Sequence, residues 1–287
     1  TGKYLGKPFV VMDDYSGFQF LLNRFQAYEN EYGTQRFYIG LEATADYWKN
    51  IYYYLKRRSP LFSLTVLNPV QTKAFAKTEL RRAKTDPVNA KDIALFMMQK
   101  RPAASVDRAP VFENIKDIDK QLHQIKKHQT RLINKLRLEL AKVAPEIEKA
   151  VPDMKGLQIS ALLKAYPTAE CIAAASVEEL AEVTYGKNNW KLPMPFIHQM
   201  KTLTQNSIAC KTGLGAGYVV QSLMQSLSFT REEIERLEKQ SEQLYFSVKD
   251  QHSLLETIPG IRLQTAIALE AYIGDVNRFS NSRQIVA

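Results

Sequence analysis

Two acidic segments of the sequence carry residues whose types and spacing suit metal chemistry. Glu42 ends a predicted strand, Asp86 opens a predicted helix, and Asn89 follows one turn further along. A carboxylate at the carboxyl end of a strand lies where ligands collect in α/β sheets, and a helix starting at Asp86 can bring a second one there. Two hard cations about 4 Å apart need several such oxygens to orient a phosphodiester. Spacing alone leaves the alternative open that Asp86 is only a helix cap and Glu42 only a strand-end charge.

The elements that must position these residues alternate between strands and helices. Ser16 is the expected cap of the first helix, and Asn68-Pro69 ends the last strand. The order predicts an α/β domain with right-handed crossovers. Strands are predicted at residues 8–12, 36–42 and 61–67, and helices at 18–28, 46–58 and from Asp86 onward.

Positive charge is concentrated in the first part of the chain. The net charge is +9, and residues 1–108 hold 17 basic against 10 acidic residues. Most of the excess lies between Lys49 and Lys91, and such a field attracts polyanions by counterion release. We therefore expect DNA contacts in this stretch, with a merely solvated basic face as the alternative. The residues expected to contact DNA here are Arg81, Arg82 and Lys84.

The second part of the chain is predicted to be helical. Apolar residues recur in heptads over 115–136, with Gln129 in the seam, and again over 234–255. We expect the two helices to pair as an antiparallel hairpin or between chains, the latter giving a homo-oligomer through a coiled coil. Ordinary core-facing helices are the alternative. Between the seams, a capping box at 176–179 starts a helix, and the glycine-rich segment 211–218 is expected to be a loop.

Other features narrow the class of protein. Cys171 and Cys210 lie far apart and in no metal-type spacing, which indicates free, buried thiols in a reducing cytoplasm. The chain has no apolar run of the roughly 18 residues that a membrane span requires, and no signal peptide. Neither end has a natural boundary pattern, so we expect a chain truncated at both ends.

A turn near the end of the chain has the chemistry of a phosphate contact. Pro259, Gly260 and Ile261 predict a tight hairpin between two helices. Backbone N–H groups at the start of a helix can hold a DNA phosphate without reading sequence. The alternative is a structural turn between packed helices.

Four ordered motifs resemble the insertion-sequence transposases of the IS110 type. They are Gly-Leu-Glu-Ala-Thr-Ala at 40–45, Val-Leu-Asn-Pro at 66–69, Lys-Thr-Asp at 84–86, and Leu-Glu-Thr-Ile-Pro-Gly-Ile at 255–261 with its continuation to 281. The resemblance covers nearly the whole chain. It implies a RuvC/RNase H-like domain whose DEDD carboxylates bind Mg²⁺, a coiled-coil insert, and a C-terminal domain with a nucleophilic serine. It also implies DNA cleavage and rejoining in transposition, guided by an RNA.

On this basis the fold class is expected to be α/β plus all-α. The RuvC-like domain, lacking its first strand, is expected at 1–108. The helical coiled-coil region follows at 109–252, and the start of the C-terminal transposase domain, with its helix-hairpin-helix, at 253–287.

By position, Glu42 and Asp86 match two of the family's catalytic, metal-binding carboxylates. Asn89 takes the place of a third, an aspartate, and supplies a neutral oxygen that does not offset metal charge. Asp92, one turn further along the helix, is a less favoured candidate to replace the missing aspartate. The resemblance places the first aspartate before residue 1 and the serine beyond residue 287, so neither Ser280 nor Ser282 is promoted to that role.

We therefore expect an inactive fragment of a transposase. A second hypothesis is a non-catalytic module that binds DNA or RNA and dimerises. A third is a junction-resolving nuclease of the same fold. Magnesium-dependent cleavage that is abolished by Glu42→Ala and Asp86→Ala separates an enzyme from the module.

Overall fold

A computed structural model describes residues 5–33, 36–78, 86–105 and 110–274, with residues 276 and 281, but not the side chains of residues 78 and 86–88. The chain divides into two compact units, Thr1–Asp107 and Arg108–Ala287. The described residues are mostly helical with few strands, and they combine an α/β unit with a helical one. No helix in the described part is both long and apolar enough to cross a bilayer.

The first unit contains two parallel strands. They pair in register from Phe37 opposite Phe62 to Glu42 opposite Leu67, which confirms the predicted β-α-β order at this point. A parallel pair needs a crossover connection, which the helix between the strands provides. The elements are α1 (Tyr15–Tyr32), β1 (Phe37–Glu42), α2 (Tyr47–Lys56), β2 (Phe62–Leu67), α3 (Pro69–Thr78) and α4 (Asp86–Lys100).

The core of this unit lies between the strands and α1 and α2. Leu21, Tyr52, Leu55 and Leu64 are its buried members. Beyond β2, the Ser105 amide donates to the Leu64 carbonyl at 2.9 Å. The segment after α4 therefore covers the edge of β2 that β1 does not.

Two predictions about the start of the chain are wrong. Residues 8–12 do not form a strand: Val10 and Met12 are exposed, and the Phe9 ring lies 5.7 Å from that of Phe20 on α1. The cap of α1 is Asp14 rather than Ser16, since Asp14 Oδ1 accepts from the Gly17 amide at 2.7 Å. The Ser16 hydroxyl donates to the same carboxylate, so Ser16 helps to orient the capping residue but does not cap the helix itself.

The second unit is built on two long helices, with smaller elements between their ends. A four-residue 3₁₀ helix, Leu254–Thr257, precedes the last α-helix. The elements are α5 (Pro110–Val143), α6 (Pro145–Ala150), α7 (Leu157–Ala165), α8 (Ala169–Ala174), α9 (Val177–Ala181), β3 (Thr184–Tyr185), β4 (Trp190–Lys191), α10 (Met194–Thr204), α11 (Leu214–Phe246) and α12 (Leu263–Ile273).

The long helices α5 and α11 pair antiparallel within one chain. The Lys211 amide, just before α11, donates to the carbonyl of Lys142 near the end of α5 at 3.1 Å. Midway, Lys126 Nζ lies 2.7 Å from Glu238 Oε1. Of the two pairings left open by the heptads, the intrachain hairpin is therefore observed.

The helix boundaries near α11 differ from those predicted. The expected loop at 211–218 is wrong from Leu214 onward, where α11 begins after Gly213 with its φ of +90°. Gly217 serves packing, because a Cβ there would lie 3.0 Å from Pro167 Cγ. The helix also ends at Phe246, before the end of the predicted seam at residue 255. The capping box at 176–179 is confirmed. The expected burial of Cys171 and Cys210 is wrong, since both are exposed.

Candidate active site

Glu42 lies half-buried at the carboxyl end of β1, with both carboxylate oxygens in hydrogen bonds. Thr72 Oγ1 donates to Oε1 at 2.7 Å, and Thr44 Oγ1 donates to Oε2 at 3.3 Å. Thr72 belongs to α3 and is 6% exposed, so its hydroxyl is fixed by the packing of that helix. The rotamer of Glu42 is therefore set from a neighbouring element. Thr72 was missed in the sequence analysis. Its position one turn after Asn68-Pro69 places it in a helix that begins at the end of β2, and this could have indicated that it lies near Glu42.

Helix α4 crosses β1 in close contact. A Cβ on Gly40 would lie 2.7 Å from Met97 Cγ and 2.9 Å from Ile93 Cγ2. Ala90 and Met97 of α4, and Arg101 just after the helix, line one groove with Phe37 and Gly40 of the strand. Helix α4 thus packs along β1, the strand that carries Glu42 at its end.

The residues of that first turn are described unequally. Asp86 opens α4, but its side chain lies outside the described residues, as do Arg81, Arg82 and Lys84 altogether. Asn89 is exposed to solvent. The roles of these residues stay predictions.

Asp92 differs from Asn89 in its surroundings. It is only 6% exposed, and it lies one turn before Phe96, whose ring is 5.4 Å from that of Phe75 on α3. Its carboxylate is therefore largely enclosed by the packing of α4, which leaves little of it accessible to a DNA strand.

The predicted ligands can be tested against the chemistry of a divalent ion. Among the described side chains, no group of three His, Cys, Asp or Glu residues could share a metal. The predicted set is two carboxylates, Glu42 and Asp86, with the amide oxygen of Asn89. Hard oxygen donors suit Mg²⁺, and two negative charges balance one such ion rather than two. The donor set therefore fits a single hard divalent cation.

Basic side chains are exposed near these elements. The end of α2 carries Lys56 followed by Arg57 and Arg58, and α3 carries Lys73 and Lys77, all exposed. Lys49 is instead paired with Asp46 at 2.8 Å. The described part of the basic stretch thus presents positive charge to solvent.

The turn at Pro259 to Ile261 begins differently from the expected hairpin. The expected hairpin joins two α-helices, but α11 ends at Phe246 and the element before the turn is the short 3₁₀ helix. Gly260 has a φ of +90°, and the Ile261 amide donates to the Ile258 carbonyl at 3.0 Å. Pro259 has no backbone N–H, and the N–H of Ile261 already donates within the turn. Of these three residues, Gly260 supplies the amide that a phosphate could reach.

Tyr245 packs the last helix, which follows this turn, against the two long helices. It is 1% exposed and shares a buried cluster with Ile115, Ile267 and Ala271. Burial raises the pKa of Tyr245 to about 12, and the nearby Glu270 carboxylate adds to the rise. The neutral phenol is therefore favoured by the folded chain.

The stability of the second unit should depend on Tyr245 above pH 10. Because the pKa is raised in the folded chain, its contribution is complete below pH 10 and is lost as the pH rises toward 12. The maximum loss is about 2 to 3 kcal/mol. Urea unfolding between pH 8 and 11 should show a shallower decline for Tyr245→Phe. Tyr218→Phe, at a position 63% exposed, is the control and should keep the wild-type slope. If stability declined equally with pH in all three proteins, Tyr245 would not be the source of the decline.

The sequence matches two family models. Residues 1–145, half of the chain, match the model of DEDD transposases of the IS110 type, described as a transposase. Residues 252–287 match the model described as the transposase IS116/IS110/IS902 family. A search of curated proteins finds no match. The first match contains β1 and the start of α4, and the second contains the turn at Pro259.

Proposed function

This chain belongs to the family of insertion-sequence transposases of the IS110 type, and on that premise we propose that its function is to cut and rejoin DNA with a divalent ion. The expectation of an inactive fragment is tested by a cleavage experiment, because an inactive fragment would bind DNA without cutting it. The family typically uses a divalent metal, and Mg²⁺ is the ion we propose. The proposal includes three regions: a RuvC/RNase H-like domain at 1–108, a helical coiled-coil region at 109–252, and the start of the C-terminal transposase domain at 253–287. It also includes a guide RNA, self-association through α5 and α11, and a serine nucleophile of the C-terminal transposase domain.

One observation carries the proposal of metal chemistry. Glu42 is held at the carboxyl end of β1 by Thr72 of α3, and α4, which begins at Asp86, packs against the same strand at Gly40. We propose that the first turn of α4 brings Asp86 and Asn89 to the end of the strand, where they share an ion with Glu42. Asp92 is not needed for this arrangement, and its burial argues against its use.

Each residue has a distinct task in this scheme. Glu42, Asp86 and Asn89 would hold Mg²⁺, which when bound supplies Lewis-acid activation of a phosphodiester. Thr72 orients the Glu42 carboxylate. The exposed basic residues of α2 and α3 hold the backbone phosphates of the DNA, and this attraction weakens with added salt.

A specific observation favours a second candidate function. Asn89 is neutral where the family carries an aspartate, and both oxygens of Glu42 already accept hydrogen bonds. A chain with a weakened ion site could act as a non-catalytic module that binds DNA or RNA and dimerises. Such a module would bind a DNA junction in a salt-sensitive way, with no dependence on metal.

The test is cleavage of a four-way DNA junction by the chain in Mg²⁺ and in EDTA. Metal-dependent cleavage supports the transposase chemistry, and salt-sensitive binding without it supports the module. Cleavage that proceeds with no rejoined product supports a junction-resolving nuclease instead.

Asn89→Asp should tighten Mg²⁺ binding. A third carboxylate adds a full negative charge to the predicted donor set, and a gain of about tenfold in affinity corresponds to about 1.4 kcal/mol. Calorimetric titration with Mg²⁺ measures the change. Asn23→Asp, the same substitution at an exposed position of α1, is the matched control and should leave the affinity unchanged. Equal affinities in both variants would remove Asn89 from the ion site.

A further inference from the structure

A groove of about 880 Å³ lies in the second unit between α7, the β3–β4 hairpin and α11, and we name it the hairpin groove. Its lining residues fall between Leu157 and Glu235. This range lies outside both family matches, which end at residue 145 and begin at residue 252. Neither match therefore assigns the groove a role.

The hairpin presents an aromatic face in a fixed orientation. Trp190 is 55% exposed, although it pairs with Tyr185 across the hairpin and their ring centroids are 6.0 Å apart. The Tyr185 hydroxyl accepts from Gln158 Nε2 at 3.1 Å, so the supporting ring is itself anchored to α7. Gly186, with φ +74°, brings the backbone under the indole. A planar side chain held this way is preorganised for stacking.

Three basic residues line the same groove: Lys164, Lys187 and Arg231. The Lys187 side chain is 91% exposed and lies 3.1 Å from Glu235 Oε2, a carboxylate that also lines the groove. An exposed ion pair of this kind contributes little, so a phosphate can displace the glutamate. Arg231 donates to the Lys155 carbonyl through one nitrogen, and its guanidinium has further N–H groups for a phosphate.

We propose that the hairpin groove binds unpaired DNA, with a base stacked on Trp190 and backbone phosphates held by Lys187 and Arg231. An aromatic platform beside basic side chains is how proteins hold single strands. A base inside a duplex cannot offer its face to Trp190, so the ligand must contain unpaired nucleotides. The choice of DNA rests on the proposed function, whereas the geometry of the groove does not.

Trp190 itself can report on the binding. The chain has two tryptophans, at positions 48 and 190, so Trp48→Phe leaves Trp190 as the only fluorophore of its type. This variant of the full chain is titrated with a thymidine oligonucleotide in EDTA. Stacking of a base on the indole should quench its emission in a saturable way, and salt should weaken the binding.

Variants of the groove should change the affinity in opposite directions. Trp190→Ala should weaken binding of a labelled oligonucleotide by about five- to a hundredfold, and Trp190→Phe by much less. Glu235→Gln should tighten binding several-fold, because it removes a competing anion and releases Lys187. Glu178→Gln, an exposed glutamate outside the groove, is the matched control.

Three results would overturn the proposal. The first is unchanged Trp190 emission at saturating DNA. The second is wild-type affinity in Trp190→Ala with an unchanged melting temperature. The third is tighter binding of a uridine RNA of the same length, which would remove the assignment to DNA. Because EDTA excludes metal chemistry, failed junction cleavage with intact quenching would count against the proposed function alone.

Discussion

Glu42→Gln should lower metal-dependent DNA cleavage by at least about a hundredfold, since even residues that only orient metal ligands cost 10- to 100-fold when replaced. Glutamine keeps the size of the side chain and an oxygen that can accept from Thr72, but it removes the charge. The loss should therefore reflect the ion and not the fold. Single-turnover cleavage of a DNA junction over a range of Mg²⁺ concentrations measures it, and the half-saturating Mg²⁺ concentration should rise as well.

A matched variant separates a local effect from a general one. Glu29→Gln makes the same change at an exposed position of α1, and it should cleave at the wild-type rate. Thr72→Val should give a smaller loss, because it frees the Glu42 carboxylate without removing it. Wild-type cleavage by Glu42→Gln would exclude Glu42 as a ligand and would mean that other residues hold the ion.

The parts of the fold that follow from local patterns were predictable. Both strands of the sheet are apolar runs bounded by turn residues, and they were placed within one residue of their observed ends. The start of α4 at Asp86 also follows from its Asp-Pro sequence. These signals depend on a few neighbouring residues, so tertiary contacts do not override them.

Errors arose where distant contacts decide the structure. Residues 8–12 have a strand-like composition, but they pair with no strand, and Phe9 contacts Phe20 of α1 while Val10 and Met12 stay exposed. The glycines of 213–217 suggest a loop, yet Gly217 is required by its close approach to Pro167, which is fifty residues earlier in the sequence but adjacent in space. No pattern within either segment contains that information.

The candidate site was predictable only in part for the same reason. Spacing placed Glu42 at a strand end, but its hydrogen bond with Thr72 depends on α3, a helix that the sequence did not indicate. The burial of Asp92 likewise follows from the packing of α4. The stacking face of Trp190 exists only because a four-residue connection returns β4 beside β3.

The contact between α4 and β1 should make Gly40 intolerant of even a methyl group. Gly40→Ala places a Cβ 2.7 Å from Met97 Cγ, and Met97 is 7% exposed, so it has little room to move. Overpacking of this kind costs about 1 to 3 kcal/mol, and we expect about 2 kcal/mol in urea unfolding of the first unit. Gly215→Ala is the matched control, because its Cβ would enter open space, and in a helix it should stabilise by up to about 1 kcal/mol.

A second substitution tells steric conflict from other causes of instability. Met97→Ala removes the atoms that the new Cβ meets, so Gly40→Ala should cost less in the Met97→Ala background than in the wild type. Cleavage should fall together with stability in Gly40→Ala, because a shift of α4 moves Asp86 and Asn89 relative to Glu42. Additive free energies in the double variant would mean that α4 does not press on β1 at Gly40. The convergence of ligands at the end of the strand would then lose its structural basis.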